Sequence, residues 1–147
     1  MSDYHLAQLN VAVLKEPLES PLLAEFVANL DRINTLAEAS AGYIWRLKTD
    51  GNNATSLRPL GENILVNMSI WQDIESLNEY VYNSAHTDIM RKRRQWFEKM
   101  GEMYMVLWWV PQGYYPEMAE AVAKLEQLRQ HGPGPEAFTF LAPFPHP

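Results

Sequence analysis

A histidine and an arginine stand on what reads as the apolar side of a helix. His86, Met90, Arg93, Phe97 and Met100 recur at spacings of 4, 3, 4 and 3, which is one helical stripe, with Ile89 and Trp96 at its flanks. A neutral imidazole there could act as a general base, a hydrogen-bond donor or a metal or haem ligand. Equally, a backbone carbonyl near the helix start could simply hold it. An arginine kept from water needs a carboxylate, carbonyl groups or an anionic ligand. Arg93 therefore either pairs with a Glu or Asp at the core edge or meets a ligand. Its neighbours Arg91, Lys92 and Arg94 fall mostly elsewhere and read as a solvated face.

A second set of polar residues lies on predicted strands. The first strand carries Gln8 and Asn10 on its less apolar side. The second carries Arg46 opposite Tyr43, Trp45 and Leu47. The third carries Asn67, Ser69 and Trp71 opposite Ile64, Val66, Met68 and Ile70. An ordinary solvated strand face would show Lys, Glu and Thr. Amides, an arginine and aromatic rings suit a wet interface or a small-molecule cavity better. The alternative is a half-exposed sheet face.

The elements that must position these groups follow from period and punctuation. Residues 4–14 alternate as a strand. Ser20-Pro21 opens a helix, with Ser as N-cap and Pro at the first helical position, and Gly42 closes it. Strands follow at 43–48 and 63–71, joined by a polar hairpin loop over 49–62. A helical region starts at Asp73, pauses near Asn83-Ser84 and continues from His86 to Met100. The run 103–110 (MYMVLWWV) is apolar nearly throughout, as a central strand would be. A last helix spans 116–131, and 137–141 suits a short fifth strand. The order βαββαβ is the ferredoxin-like split motif, an α+β fold. We read one domain over 1–147, with 131–147 as a C-terminal extension. Helices on one face of a four-stranded sheet leave the other bare, and a second copy of the chain is the expected cover, so a homodimer is predicted.

Composition narrows the function classes. The 147 residues carry a formal net charge of −6 and no cysteine. Disulfides, thiolate metal sites and cysteine nucleophiles are excluded. The acidic balance argues against nucleic acid. No basic-then-apolar leader and no run near the ~20 residues of a membrane span is visible, so a cytoplasmic protein is expected. Ser84, His86 and Asp88 cannot form a triad, because residues two apart on a helix diverge. The four histidines lack metal-ligand spacing.

The segments 4–10 (YHLAQLN), 84–100 (SAHTDIMRKRRQWFEKM) and 107–113 (LWWVPQG), with 131–133 and 137–140, resemble an uncharacterised bacterial domain family. That family sits in the dimeric α/β-barrel superfamily beside the antibiotic-biosynthesis and haem-degrading monooxygenases. The resemblance implies a dimer with a pocket between each sheet and its helices. It implies no reaction. In haem-degrading relatives a histidine on the helix after the third strand ligates iron, and His86 has a similar place. In cofactor-free relatives an Asn, Trp or His helps oxygenate a polyphenol, and Asn10, Trp71 and His86 are the nearest matches. The leading expectation is a protein that binds a small aromatic or polyketide-like molecule and, if it is an enzyme, acts as a cofactor-free, monooxygenase-like catalyst. Asn10 and His86 would orient or deprotonate the ligand, and Arg46 or Arg93 would stabilise the oxyanion. Trp45, Asn67, Trp71, Met90 and Phe97 would line the ligand. Haem binding through His86 and a non-enzymatic dimeric scaffold or sensor are the alternatives.

Overall fold

The computed structural model describes residues 3–48, 55, 57–83, 87 and 91–147. Strand β1 (Tyr4–Val13) is followed by a 3-10 turn (Pro21–Leu23) and helix α1 (Ala24–Glu38). Strands β2 (Tyr43–Arg46) and β3 (Ile64–Trp71) lead to helix α2 (Ile74–Asn83) and a single helical turn, α3 (Arg93–Trp96). Strand β4 (Met105–Pro111) and helix α4 (Met118–His131) complete the elements. The sheet order is β2-β3-β1-β4 with every neighbour antiparallel. This is the ferredoxin-like α+β arrangement that the element order predicts.

Each face of the sheet has its own core. On one, Ala7, Leu9 and Val11 of β1 meet Val66, Met68, Ile70, Val106 and Trp108, and Ala121, Leu125 and Leu128 of α4 close over them. On the other, Leu6, Trp71 and Leu107 meet Ala37 of α1, Leu77 of α2 and Phe138 of the C-terminal tail. The period-2 alternation of β1 thus feeds two buried layers.

This corrects the expectation of a bare face. The mixed polar side of the strands is the side under α1 and α2. The purely apolar side is covered by α4 of the same chain, so an uncovered sheet supplies no argument for a dimer here.

Three local departures have physical causes. Strand β4 is an edge strand, not a central one. It is apolar because both faces are packed and because Phe138 bridges its outer edge, with Leu107 N–H donating to Phe138 O at 2.8 Å and Phe138 N–H to Leu107 O at 2.9 Å. That bridge stands in place of the fifth strand. In β2 the register slips between Tyr43 and Trp45. The bulge puts Tyr43 opposite Trp71 and Arg46 opposite Ser69, while Trp45 turns to the α4 side opposite Ile70. Finally, Ser20 precedes the helix as expected, but its side chain makes no capping hydrogen bond.

The stripe from His86 to Met100 does not form one helical face. His86 and Met90 lie outside the described residues. Beyond Trp96 the chain turns extended: Phe97 bridges Leu14, Lys15 N–H donates to Trp96 O at 2.9 Å, and Glu98 N–H donates to Val13 O at 2.8 Å. Trp96 is buried with Leu14, Leu23 and Leu65. Pairing with the end of β1, together with that tryptophan anchor, outcompetes helix propensity, which is a weak preference.

Gly42 sets how β2 begins. It sits at φ +83°, where L side chains are strained, and its carbonyl accepts from Gln72 N–H at 2.7 Å. A Cβ built there would lie 2.1 Å from Ser76 Oγ and 2.4 Å from Ser76 Cβ. Gly42→Ala should therefore cost at least the roughly 1–2 kcal/mol of a left-handed non-glycine residue, and more for the clash. Urea denaturation measures it, and Ser76→Gly in the same chain should recover the clash part alone.

Candidate functional site

Gln8 stands in the middle of β1, on the face under the helices, and is 2% exposed. A buried carboxamide must find partners for its polar atoms. Gln8 Nε2 donates to Asn67 Oδ1 at 2.9 Å and to Ser69 Oγ at 2.7 Å, and Gln8 Oε1 accepts from Asn10 Nδ2 at 3.0 Å. Asn10 Nδ2 also reaches Asn67 Oδ1 at 3.3 Å, and Trp71 Nε1 donates to Ser69 Oγ at 2.9 Å. The register explains the convergence, since Gln8 faces Ser69 and Asn10 faces Asn67 across β1 and β3. The result is a connected polar floor of two strands. It leaves Asn10 Oδ1 and Asn67 Nδ2 without a partner among the described residues.

The floor is closed at one end and open at the other. Ser69 and Trp71 are buried, Asn10 is half-buried, and Asn67 is exposed although it lies on the helix-covered face. Helix α1 is buried unevenly. Asn34 and Ala37 are buried, while Phe26, Leu30 and Ile33, one and two turns earlier on the same side, are only half-buried. Leu30 and Ile33 belong to none of the three core clusters. So α1 is packed at both ends, through Ala37 and through Phe26, and its apolar residues between them, Leu30 and Ile33, are only half-buried. A polar floor on the same sheet face as half-buried apolar helix residues is a make-up suited to a small-molecule site.

The closed end is an aromatic box. Tyr80 of α2 stacks on Trp71 with ring centroids 5.1 Å apart, and Tyr43 meets Trp71 edge-on at 5.7 Å. Tyr80 donates to Ile33 O at 3.3 Å, tying α2 to α1. Arg46, 5% exposed, supplies a fixed positive charge beside this box, and its Nε lies 3.5 Å from Glu38 Oε2. Burial pushes the Tyr80 hydroxyl well above its ordinary pKa, and the Arg46 charge opposes that shift. Tyr43 is raised as well, first by burial and then by Glu38, against the pull of Arg46.

Of the residues singled out in the sequence, Asn10, Asn67 and Trp71 meet in one hydrogen-bonded group, with Arg46 on the same face. Trp45 does not join them. It lies on the α4 side and packs against Tyr115 at 5.4 Å. Arg93 is half-buried with its guanidinium 4.9 Å from the Tyr104 ring centroid, and Phe97 packs on Phe26 at 5.1 Å. Both belong to the α3 end of the molecule. His86 and Met90 fall outside the described residues. Gln8, Ser69 and Tyr80 complete the floor and its closed end. Gln8 and Ser69 were visible in the strand alternation.

Two open concavities lie near the start of α2. One, of about 430 Å³, is lined by Ser40, Asp73, Glu75, Ser76, Glu79 and Tyr80 among others. The other, of about 310 Å³, lies between Gln72–Glu75 and the tail residues Pro145 and His146. Neither includes the polar floor. Among the described residues no group of three His, Asp or Glu is placed to hold a metal ion. No described helix is long and apolar enough to cross a membrane.

Residues 5–147 match the model of a domain of unknown function, DUF3291. The chain belongs to that family. Its backbone is similar to that of SnoaB, a cofactor-independent oxygenase from Streptomyces nogalater, with a TM-score of 0.52 at 14% identity over 79% of this chain and 100% of that one. It is also similar to a conserved protein from Methanosarcina mazei, with a TM-score of 0.53 at 12% identity over 74% of this chain and 93% of that one. No curated protein matches the chain. At such identities the likeness establishes a shared ferredoxin-like fold.

The raised Tyr80 gives a pH signature. A phenol whose pKa is higher folded than unfolded contributes stability that is whole below the unfolded value of 10.0 and is lost as pH rises toward the folded value. Tyr80→Phe should cost about 1 kcal/mol at pH 7 for the lost hydrogen bond. The gap to the parent protein should shrink once pH passes 10. Urea melts at pH 7, 9 and 10.5 measure it; a gap constant with pH would show that Tyr80 is not held neutral by burial.

Proposed function

We propose that this protein binds a planar phenolic or polyketide-like molecule between the polar floor and helix α1, and oxygenates it without a cofactor. The observation that carries the reading is the connected floor of Gln8, Asn10, Asn67 and Ser69, open to solvent at Asn67 and lying on the sheet face that α1 and α2 cover. Asn67 Nδ2 and Asn10 Oδ1 would donate to and accept from a ligand oxygen and hydroxyl. Leu30 and Ile33 would cover one side of its rings. Arg46 would favour the ionised form of a ligand lying near Trp71 and Tyr80 through its field.

The shared fold with SnoaB, whose name describes a cofactor-independent oxygenase, supports the choice of chemistry. An activated ring methylene can supply every electron needed. The methylene and one molecule of dioxygen give a ring carbonyl and one molecule of water. One oxygen atom forms the new carbonyl, and the other leaves as water with the two methylene hydrogens. Dioxygen is the oxidant and the substrate is its own reductant. The protein's part is to hold the phenol, favour its deprotonated form and keep bulk water out. A carboxamide cannot take that proton at neutral pH. We assign the role to His86, on its sequence position alone.

Haem binding through His86 remains the alternative reading of that histidine, which lies outside the described residues. No step is routed through haem.

Self-association belongs to the same proposal. Tyr114 and Tyr115, 45% and 53% exposed, stand with Trp45 at the rim of the α4 side and form an aromatic patch for a second copy. Light scattering should give twice the chain mass for the parent protein and a lower average mass for Tyr115→Ser. A parent protein that stays monomeric removes the homodimer.

Oxygen uptake with a panel of polycyclic phenols tests the chemistry. Asn67→Leu keeps the size and removes the open hydrogen-bonding group. It should lower kcat/KM at least tenfold, the equivalent of one hydrogen bond to substrate, at about 1.4 kcal/mol per factor of ten. It should also cost about 1 kcal/mol of stability, because Asn67 Oδ1 accepts from the buried Gln8 amide, so turnover is compared well below the melting temperature of the variant. His86→Ala should lower kcat more than KM. Full turnover in both variants would remove the site.

A further inference from the structure

The C-terminal tail beyond α4 is more than a trailing end. It turns at Gly134–Ala137, bridges the edge of β4 at Phe138, and then crosses the helix-covered face. Phe138 is fully buried among Leu6, Trp71, Leu77 and Leu107, and Phe140 and Phe144 pack against the same cluster. The tail thus walls the space under α1 and α2 on the β4 side.

The two halves of this tail are held very differently. Phe138 has a buried ring and a reciprocal pair of backbone hydrogen bonds. After it the chain pairs with no strand. It is held by Trp109 Nε1 donating to Phe144 O at 2.9 Å, by Phe140 against Tyr82 at 5.8 Å, and by His146 between Tyr4 at 5.7 Å and Trp109 at 5.6 Å. Between these contacts Leu141 is 99% exposed at the tip of a turn closed by Ala142 N–H donating to Thr139 O at 3.2 Å. The concavity of about 310 Å³ separates Pro145 and His146 from the start of α2, so the strap is not fully seated there. Half-buried rings at the edge of the cluster, with Phe144 6.1 Å from Phe138, and one side-chain hydrogen bond cost less to break than the fully buried and doubly hydrogen-bonded Phe138 anchor.

We propose that residues 139–147 form a latch, hinged at Phe138, that lifts from Trp109 and opens the aromatic end of the site around Trp71 while the sheet stays folded. As the gate of the site it rests on the function proposed above; as a local opening it stands by itself. The latch would close over a seated ring and exclude water from it.

Residue-resolved amide exchange on the full chain tests the opening. The Ala142 amide should exchange at least a hundredfold faster than those of Phe138 and Leu107, relative to their unstructured rates. Trp109→Phe removes the strap's hydrogen bond and should speed Ala142 about five- to tenfold, as loss of one ordinary hydrogen bond allows, with Phe138 and Leu107 unchanged. Phe144→Ala, which leaves Trp109 in place, should speed the same amide. If Ala142 and Leu107 exchange together in all three proteins, the tail opens only with global unfolding and the latch is wrong.

Acrylamide quenching of tryptophan fluorescence reads what the latch covers, with no ligand needed. In a Trp109→Phe background, which removes the signal of the tryptophan that the strap touches directly, Phe144→Ala should raise quenching, and adding Trp71→Phe should remove most of that rise. A rise that survives removal of Trp71 would mean that the strap covers some other tryptophan and does not gate the site. Both measurements are independent of turnover in Asn67→Leu, so the latch and the oxygenase reading can fail separately.

Discussion

The amide of Gln8 is the constraint around which this sheet is arranged. It lies at the centre of β1, which pairs on both sides, and it is roofed by helices. Its nitrogen and oxygen must find partners without water. They do so sideways, in Ser69 and Asn67 of the next strand and in Asn10 two residues along its own. That arrangement fixes the β1–β3 register, because a slip of one residue would carry Ser69 and Asn67 to the α4 side and leave the amide stranded. It also fixes Trp71, whose indole N–H uses Ser69 as its acceptor. The aromatic box of Tyr43, Trp71 and Tyr80 is then built upon a position set by the floor.

The rest of the fold protects its edges. Strand β4 is strongly apolar yet sits at the sheet margin, which would be an aggregation hazard if left open. Phe138 covers it, and the tail that carries Phe138 also completes the core under α2. One segment thereby protects an edge and walls the site. On the opposite face α4 does what a second subunit was expected to do. Burial of Ala121, Leu125 and Leu128 against β1 and β4 leaves the apolar strand face no longer in need of a partner. Any pairing of copies must then rely on other surfaces, such as the tyrosines beside Trp45.

The period-2 strands and their mixed side were legible in the sequence, because alternation records which face a residue serves. Asn10, Asn67, Trp71 and Arg46 were identifiable on that basis. Which face the helices would cover was not legible, since a mixed side of amides, an arginine and aromatics suits a wet interface between copies as well as a cavity under helices. The bulge in β2 was hidden as well: nothing in Tyr43-Ile44-Trp45-Arg46 announces that the register slips, and that slip brings Tyr43 to the side of Arg46 and Trp71, while Trp45 stays on the side opposite Arg46 as alternation places it. The break of the 86–100 stripe at Phe97 escaped periodicity because long-range pairing with Leu14 decides it. Contacts of that kind carry no local signal.

A site for oxygen chemistry without a cofactor has to be chemically quiet, and this floor is. Its members, Gln8, Asn10, Asn67 and Ser69, neither titrate near neutral pH nor exchange electrons. Tyr80 is held neutral by burial, and Arg46 carries a permanent charge. Such a site can orient a substrate and bias its ionisation, yet it competes for neither the proton nor the electron that leaves. A floor richer in carboxylates would have opposed a phenolate, and the acidic residues Asp73, Glu75 and Glu79 instead line the separate concavity at the start of α2. That segregation of charge from floor supports the proposal of an anionic aromatic species over Asn67 and not at the hollow beside Glu75 and Glu79.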